Sequence, residues 1–465
     1  MHRSSFAFAG ALGLLAACAG GPPGARGGAA AESPSPHLRG AVEGGAPRAA
    51  RAPSPRLPEP AAGSDVSLGG LLDYADRHSP VLAVARSTRS RAEAERIAAS
   101  VAPVGNPDLS VAAGPRFGGA GTGVDFELSL TQELELGGAR GRRVAAADAG
   151  AELTDAEIEA VRWAVHCDVH AAFHRALVER EHLKLAERMV QFQAEVLSVV
   201  ERQIAAGEAA PLALRLARAE LAQAKQEHVT AAQASLSARI RLAQLSGWPV
   251  EAPPTPIGVV DLPRDPPPLE RLLAVARERL PSLRERALRV REAEARAEAA
   301  DREAWPRPAL GVQYRHEGSA ESAEVRDIVL GVVSLPLPGF QRNQGERARA
   351  RAELRVREAE RAAAQRLLAG EIAQARSEVV AAAARTRAYG DEIIPGFEEN
   401  LTLLRRSFEL GEIDLLALST ARERFLRIQS DALAAHDDYF VALAGLERVV
   451  GVDLWRDDHD EEAAR

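Results

Sequence analysis

Aromatic side chains make up only 4 % of the 465 residues, a low share for the mixed core of a globular enzyme. Cysteine is nearly absent. Cys18 and Cys167 are the two present, and no disulfide framework follows from them. The net charge is −8 with acids and bases interspersed, so there is no basic block to hold nucleic acid. No run, the N-terminal one included, reaches the roughly 18 uninterrupted apolar residues of a spanning helix. No nucleophile–base arrangement, carboxylate pair in a cleft pattern or cofactor fingerprint is found, so neither catalysis nor a bound cofactor is expected. What remains is dominated by alanine, leucine, glutamate and arginine, the composition of long packed helices.

The chain opens on a targeting pattern. His2 and Arg3 precede an apolar run from Phe6 to Ala17, and Leu15-Ala16-Ala17-Cys18-Ala19 sets small residues before a cysteine. That is the pattern of a bacterial lipoprotein signal, in which residues 1–17 are removed and Cys18 is lipidated. An ordinary secretory signal cut nearby is the alternative. With Cys18 lipidated, Cys167 has no partner within the chain. Residues 18–66 read as the lipidated N-terminus and a disordered Pro/Gly/Ala linker.

The rest of the chain is a tandem duplication. Leu71, Leu72, Ala75, Pro80 and Leu82 align with Leu272, Leu273, Ala276, Pro281 and Leu283 at an offset of 201 residues. The same offset relates Pro107 to Pro308, Leu134 to Leu335 and Gly138 to Gly339. It grows to 204 where Arg202, Gly207, Glu208, Leu212 and Arg218 match Arg406, Gly411, Glu412, Leu416 and Arg422. A glycine after a long helix supplies the left-handed residue that ends it. Both places therefore read as sharp turns closing two long helical hairpins. The two repeats occupy residues 67–267 and 268–452, and residues 453–465 form an acidic tail.

Each repeat begins with a helix, predicted in the first from Ser67 to Ala102. Two extended segments follow, Asp108–Ala113 and Val124–Leu136, joined through the Gly118–Gly123 loop. Val124, Phe126, Leu128 and Leu130 fall on one face of the second segment; Asp125, Glu127, Ser129 and Thr131 fall on the other. A proline-free helix then runs from about Arg140 to Ala206, roughly 100 Å at the standard rise. No compact domain accommodates it. After Gly207 a helix returns to about Ser246 and ends in the proline-rich stretch from Gly247 to Pro268. The second repeat restates this order, with strands near Pro308–His316 and Val325–Leu335. Leu310, Val312 and Tyr314 alternate with Gln313, Arg315 and Glu317, whereas Ile328 to Val333 is apolar on both faces.

Four strands cannot close a barrel, and lipid does not tolerate an open sheet edge. If they span a membrane, several chains must combine. Two would give eight strands around a filled interior; three would give twelve around a passage lined by Asp125, Glu127, Arg315 and Glu317. A small soluble sheet with one wet face is the alternative. The fold class expected is thus mainly α, with long helical hairpins and a membrane β-barrel part.

The chain resembles the TolC-like outer-membrane efflux factors from about Ser67 to Val452. The resemblance is carried by Asn106-Pro107-Asp108-Leu109, by Gln132-Glu133-Leu134-Glu135-Leu136-Gly137-Gly138-Ala139-Arg140, by Ser334-Leu335-Pro336-Leu337-Pro338 with Arg342-Asn343-Gln344-Gly345, and by the two Gly-Glu turns. The Gln132–Arg140 and Ser334–Gly345 segments are most similar to the heavy-metal (cobalt–zinc–cadmium) branch. The resemblance implies a homotrimer with a twelve-stranded barrel in outer-membrane lipid and a twelve-helix periplasmic tunnel. It places a periplasmic adaptor (membrane fusion protein) on tips built from Gly207, Glu208, Gly411 and Glu412, and couples it to an inner-membrane pump. Many members narrow the tunnel with aspartates shortly after the second tip glycine. Here Ala417 and Thr420 stand at those positions, and Glu412 and Asp414 are the nearby acids. Both acids also suit free amides at a helix N-terminus. The expected cargo is a divalent heavy-metal cation, with organic compounds as the alternative. A periplasmic adaptor lipoprotein is a third reading, although adaptors carry one hairpin with flanking β-domains.

His166, His170 and His174 recur at every fourth position of the long helix and so share one face. They are candidate metal ligands if further ligands meet them. Otherwise they are polar residues on a packing or lumen face.

Overall fold

The computed structural model describes residues 65–102, 105–118, 121–207, 210–260, 263–318, 326–390 and 397–454. The expected leader, Cys18, most of the linker, Glu208 and nearly all of the acidic tail lie outside these residues.

The first repeat opens with two helices, α1 (Leu68–His78) and α2 (Pro80–Ser100), where one was expected. Pro80 has no N–H to donate and disfavours helical backbone at Ser79, so α1 ends there. At the other end the Ser67 hydroxyl caps α1 by accepting from Gly70 N at 3.3 Å. The linker is ordered at its last two residues: β1 (Asp65–Val66) pairs in parallel with β4 (Thr255–Pro256) of the proline-rich stretch. The hairpin strands β2 (Asp108–Gly118) and β3 (Gly121–Glu133) run further into the expected Gly118–Gly123 loop, and β3 stops before Leu136. Helix α3 (Ala139–Ala205) is continuous over 67 residues, and α4 (Pro211–Ser246) returns along it.

The second repeat supplies α5 (Leu269–Arg279), α6 (Pro281–Arg302), β5 (Ala309–Glu317), β6 (Arg326–Ser334), α7 (Gln344–Gly390), α8 (Phe397–Glu409) and α9 (Leu415–Val450). α7 and α8 are separated by residues 391–396, which include Pro395 and Gly396 and lie outside the described residues. Elsewhere the lengths agree closely: α1 and α5 each have 11 residues, and α4 and α9 each have 36.

A second pair of glycines, of which only Gly247 stood out in the sequence, as a helix end, is separated by the same 204 residues. Gly247 and Gly451 end α4 and α9 in the left-handed region, at φ +79° and +86°. Each presses on the break between the short helices of its own repeat. A Cβ on Gly247 would lie 2.1 Å from the carbonyl oxygen of His78, and one on Gly451 would lie 2.6 Å from Leu280 Cα. Only glycine permits both the turn and the approach.

Three apolar clusters hold the helices. The first joins Leu71, Leu82, Val169, Phe173 and Leu242; the second joins their counterparts around Leu272, Ile372, Tyr439, Phe440 and Leu446. The third lies toward the turns and draws on both repeats, with Met189, Val196, Val200 and Ala217 against Phe408 and Leu418. Between the clusters the buried residues are largely alanines, such as Ala92, Ala149, Ala224 and Ala297, which let helices approach closely. Prolines leave few donors in the segment between the repeats, so arginines satisfy its carbonyls. Arg180 donates to Pro256 O (2.7 Å) and Gly258 O (2.8 Å), and Arg239 to Pro253 O (2.7 Å).

Strands β2, β3, β5 and β6 form one antiparallel sheet in that order. Glu127 stands opposite Arg315, and Leu130 opposite both Leu109 and Val312.

Candidate functional site

Directly opposed residues of an antiparallel pair share a face. The register places Leu109, Val111 and Phe117 of β2, Val124 and Leu130 of β3, Leu310 and Val312 of β5, and Val329 and Val333 of β6 together. All are exposed, from 47 % at Leu310 to 80 % at Phe117. Near the β5–β6 connection this face turns polar: the Tyr314 hydroxyl donates to Asp327 at 2.8 Å, and His316 Nδ1 lies 2.8 Å from the same carboxylate.

The opposite face carries Asp125, Glu127, Arg315 and Glu317, as expected. Arg315 lies 3.2 Å from Glu127, which also accepts from the Gln313 amide. Arg116 completes the row, 3.0 Å from Asp125 and 3.6 Å from Glu317. β2 continues past the expected end at Ala113 to Gly118, and this extension brings Arg116 into the row. The sheet also assigns β6, whose two faces look alike in sequence. Ile328, Leu330 and Val332 stand opposite Arg315, Gln313 and Gly311, on the charged side.

Gly207 and Gly411 adopt φ +77° and +74°, with nothing near an added Cβ at either. At the second turn the Glu412 amide donates back to Ser407 O at 2.9 Å, while its side chain stays exposed. Asp414 caps α9, accepting from Ala417 N at 2.7 Å. Ala417 and Thr420 are exposed and line a shallow groove with Leu416, Arg424 and Phe425. Leu212, Leu410 and Leu416 are about two-thirds exposed or more at the two turns.

The arginines at matching positions after the turns differ. Arg218 is largely exposed, 3.6 Å from Glu201. Arg422 is buried, 2.7 Å from Glu220, whose other oxygen accepts from the Ser419 hydroxyl at 2.7 Å.

The three histidines share a face of α3, and that face packs against α9. His170 is 2 % exposed, and its Nδ1 lies 2.8 Å from the buried Glu447 carboxylate. His166 Nε2 lies 3.5 Å from Asp453. His174 stacks on Phe440, with centroids 3.7 Å apart and planes 4° from parallel. Burial drives the His174 pKa well below the ordinary imidazole range, assisted by His170. Burial also acts to lower that of His170, but the bond and charge of Glu447, with Asp453, outweigh it and hold it raised. Glu447 and Asp453 had no signal in the sequence, because only the packing of α9 on α3 brings them to the histidines.

A sheet with opposed apolar and charged faces, carried on two long helical hairpins, is the architecture of a TolC-like channel subunit. The profile of the outer membrane efflux protein family matches residues 71–248 and 272–452, and the chain belongs to that family. Over 333 residues it is 27 % identical to the cobalt-zinc-cadmium resistance protein CzcC of Cupriavidus metallidurans, spanning 68 % of this chain and 75 % of that one. Among solved structures, a membrane protein from Pseudomonas aeruginosa superposes with a TM-score of 0.63 at 20 % identity, covering 83 % of this chain and 93 % of that one. CusC, solved in a study of transmembrane channel formation, gives 0.63 at 16 % identity, covering 83 % and 92 %.

Proposed function

We propose that the chain is the outer-membrane channel of a tripartite efflux system, a passive tunnel that carries divalent heavy-metal cations from an adaptor and an inner-membrane pump to the exterior. The carrying observation is the sheet. Its apolar face is exposed, its other face holds a charged row, and its outer strands β2 and β6 each have one partner among the described residues. Lipid on the apolar face and further copies on the edges satisfy both. Three copies supply twelve strands and leave room for water, with Arg116, Asp125, Glu127, Arg315 and Glu317 lining the lumen.

In this reading the helices form the periplasmic tunnel, and the turns at Gly207-Glu208 and Gly411-Glu412 receive the adaptor. The exposed leucines beside those turns supply apolar contact area. The two repeats, residues 67–267 and 268–452, descend from one duplicated unit. The matching Gly247 and Gly451 contacts support that descent. Cys18 carries the lipid anchor, and Glu412 and Asp414 give the tunnel mouth its acidic charge.

The kinship with CzcC supports metal cargo. A second reading, export of neutral organic compounds, draws on the groove around Leu416, Ala417 and Thr420, where apolar Leu416 and Phe425 stand beside Asp414 and Arg424. Cellular zinc, cobalt, cadmium and copper, measured in a deletion strain and its complemented parent beside a drug panel, separate the two. Metal accumulation reversed by complementation is expected. Unchanged metals with sensitivity to organic compounds would move the cargo to the second reading.

A further inference from the structure

We propose that His166, His170, Glu447 and Asp453 form a divalent transition-metal site in the seam between α3 and α9, where the ion cross-links the two repeats. This is a structural ion and does not depend on which cargo the tunnel carries.

Geometry comes first. One ligand atom from each of His170, Glu447 and Asp453 lies within 4.8 Å of the other two. His166 adds Nε2, 3.5 Å from Asp453 Oδ2. Ligand atoms around a tetrahedral zinc ion at 2.0–2.2 Å stand roughly 3.3 Å apart. The cluster therefore needs to contract by up to about 1.5 Å, within reach of side-chain rotation at Asp453, which follows the Gly451 cap of α9. Glu447 is already oriented, since its second oxygen accepts from Leu454 N at 3.0 Å. That bond also ties the turn carrying Asp453 to the helix.

Burial and charge point the same way. His170 is 2 % exposed and Glu447 fully buried, and His170 Nε2 has no hydrogen-bond partner among the described residues. Two imidazoles and two carboxylates converge in this seam, and an ion held by both kinds of ligand would offset carboxylate charge there. The nearby arginines are engaged: Arg448 pairs with Asp168, and Arg175 with Asp437 and Glu179. Imidazole nitrogens with carboxylate oxygens suit zinc or cobalt. His174, stacked on Phe440, and the buried Cys167 thiol, its pKa pushed up to about 12, stay outside the set.

The test uses the full-length protein purified without a polyhistidine tag, stripped with chelator, and dialysed against Zn2+ or Co2+. About one ion per chain is expected, with a ligand-field spectrum for Co2+ and a higher melting temperature. Because His170 and Glu447 are core residues, the variants are His166→Gln and Asp453→Asn, at partly exposed positions. Each should keep the metal-free melting temperature of the parent, weaken Zn2+ binding tenfold or more, and lose the Zn2+-induced rise. No retained ion in the parent, or unchanged affinity in both variants, would overturn the proposal.

Discussion

Arg218 and Arg422 stand sixteen residues after matching arginines and eleven after matching glycines, yet one is exposed and the other buried. The difference lies in what packs over them. Arg422 sits between hairpins and is held by Glu220, a placement that no pattern within either repeat records. Removing one partner of a buried pair leaves the other uncompensated, so Arg422→Met should destabilise the protein by about 3 kcal/mol. Arg218→Met should change stability by less than about 0.5 kcal/mol. Denaturant melts of the two variants side by side check this, and equal effects would contradict it. Glu135 gives the pH counterpart. Hydrogen bonds from Arg143 hold its carboxyl below the ordinary glutamate range. A carboxylate with a depressed folded pKa adds stability that is full above its unfolded pKa, about 4.3, and that fades as pH falls through the folded value. Glu135→Gln should therefore cost about 1–2 kcal/mol at neutral pH. Its deficit should narrow as the pH drops below about 4.3, read from urea melts across that range.

At the scale of elements, periodicity and punctuation made most of the fold legible. The alternation of Val124 to Thr131, the proline-free run of α3 and the glycine turns each announce one structure. The misses have local causes. Pro80 splits a helix whose apolar spacing continues across it. Gly247 and Gly451 were legible as residues but not as contacts, because what excludes a side chain there is the backbone of a distant helix break. Alanine scanning should separate the two glycine pairs. Gly207→Ala and Gly411→Ala meet open space and cost only the left-handed penalty, about 1–2 kcal/mol. Gly247→Ala adds a collision with the His78 carbonyl and should cost more than about 3 kcal/mol. Melting temperatures give the order, and a Gly247→Ala protein as stable as Gly411→Ala would contradict the packing described.

For the whole molecule, the sequence told which strand residues share a face but not what lies against it, since in the proposed channel the closing partners are other copies of the chain. The charged row was legible through Asp125, Glu127, Arg315 and Glu317. The histidine seam was legible only in half, because Glu447 and Asp453 arrive from the other repeat. The membrane reading and its soluble rival cover the same apolar face with lipid and with protein respectively, and paired substitutions on β2 distinguish them. Val111 lies on the apolar face, 59 % exposed, and its neighbour Ser110 on the charged face. In a barrel, Val111→Arg puts a cation into lipid at a cost of about 2–4 kcal/mol near the midplane. It should reduce the heat-resistant trimer recovered from outer membranes. Ser110→Arg should leave the trimer intact and shift its ion selectivity in planar bilayers, because the added charge faces water. A soluble sheet wet on its charged face and covered by protein on the other would show no selectivity to shift. Trimer loss confined to Val111→Arg, with altered conductance confined to Ser110→Arg, is the expected result. Equal tolerance of both would remove the lipid from that face.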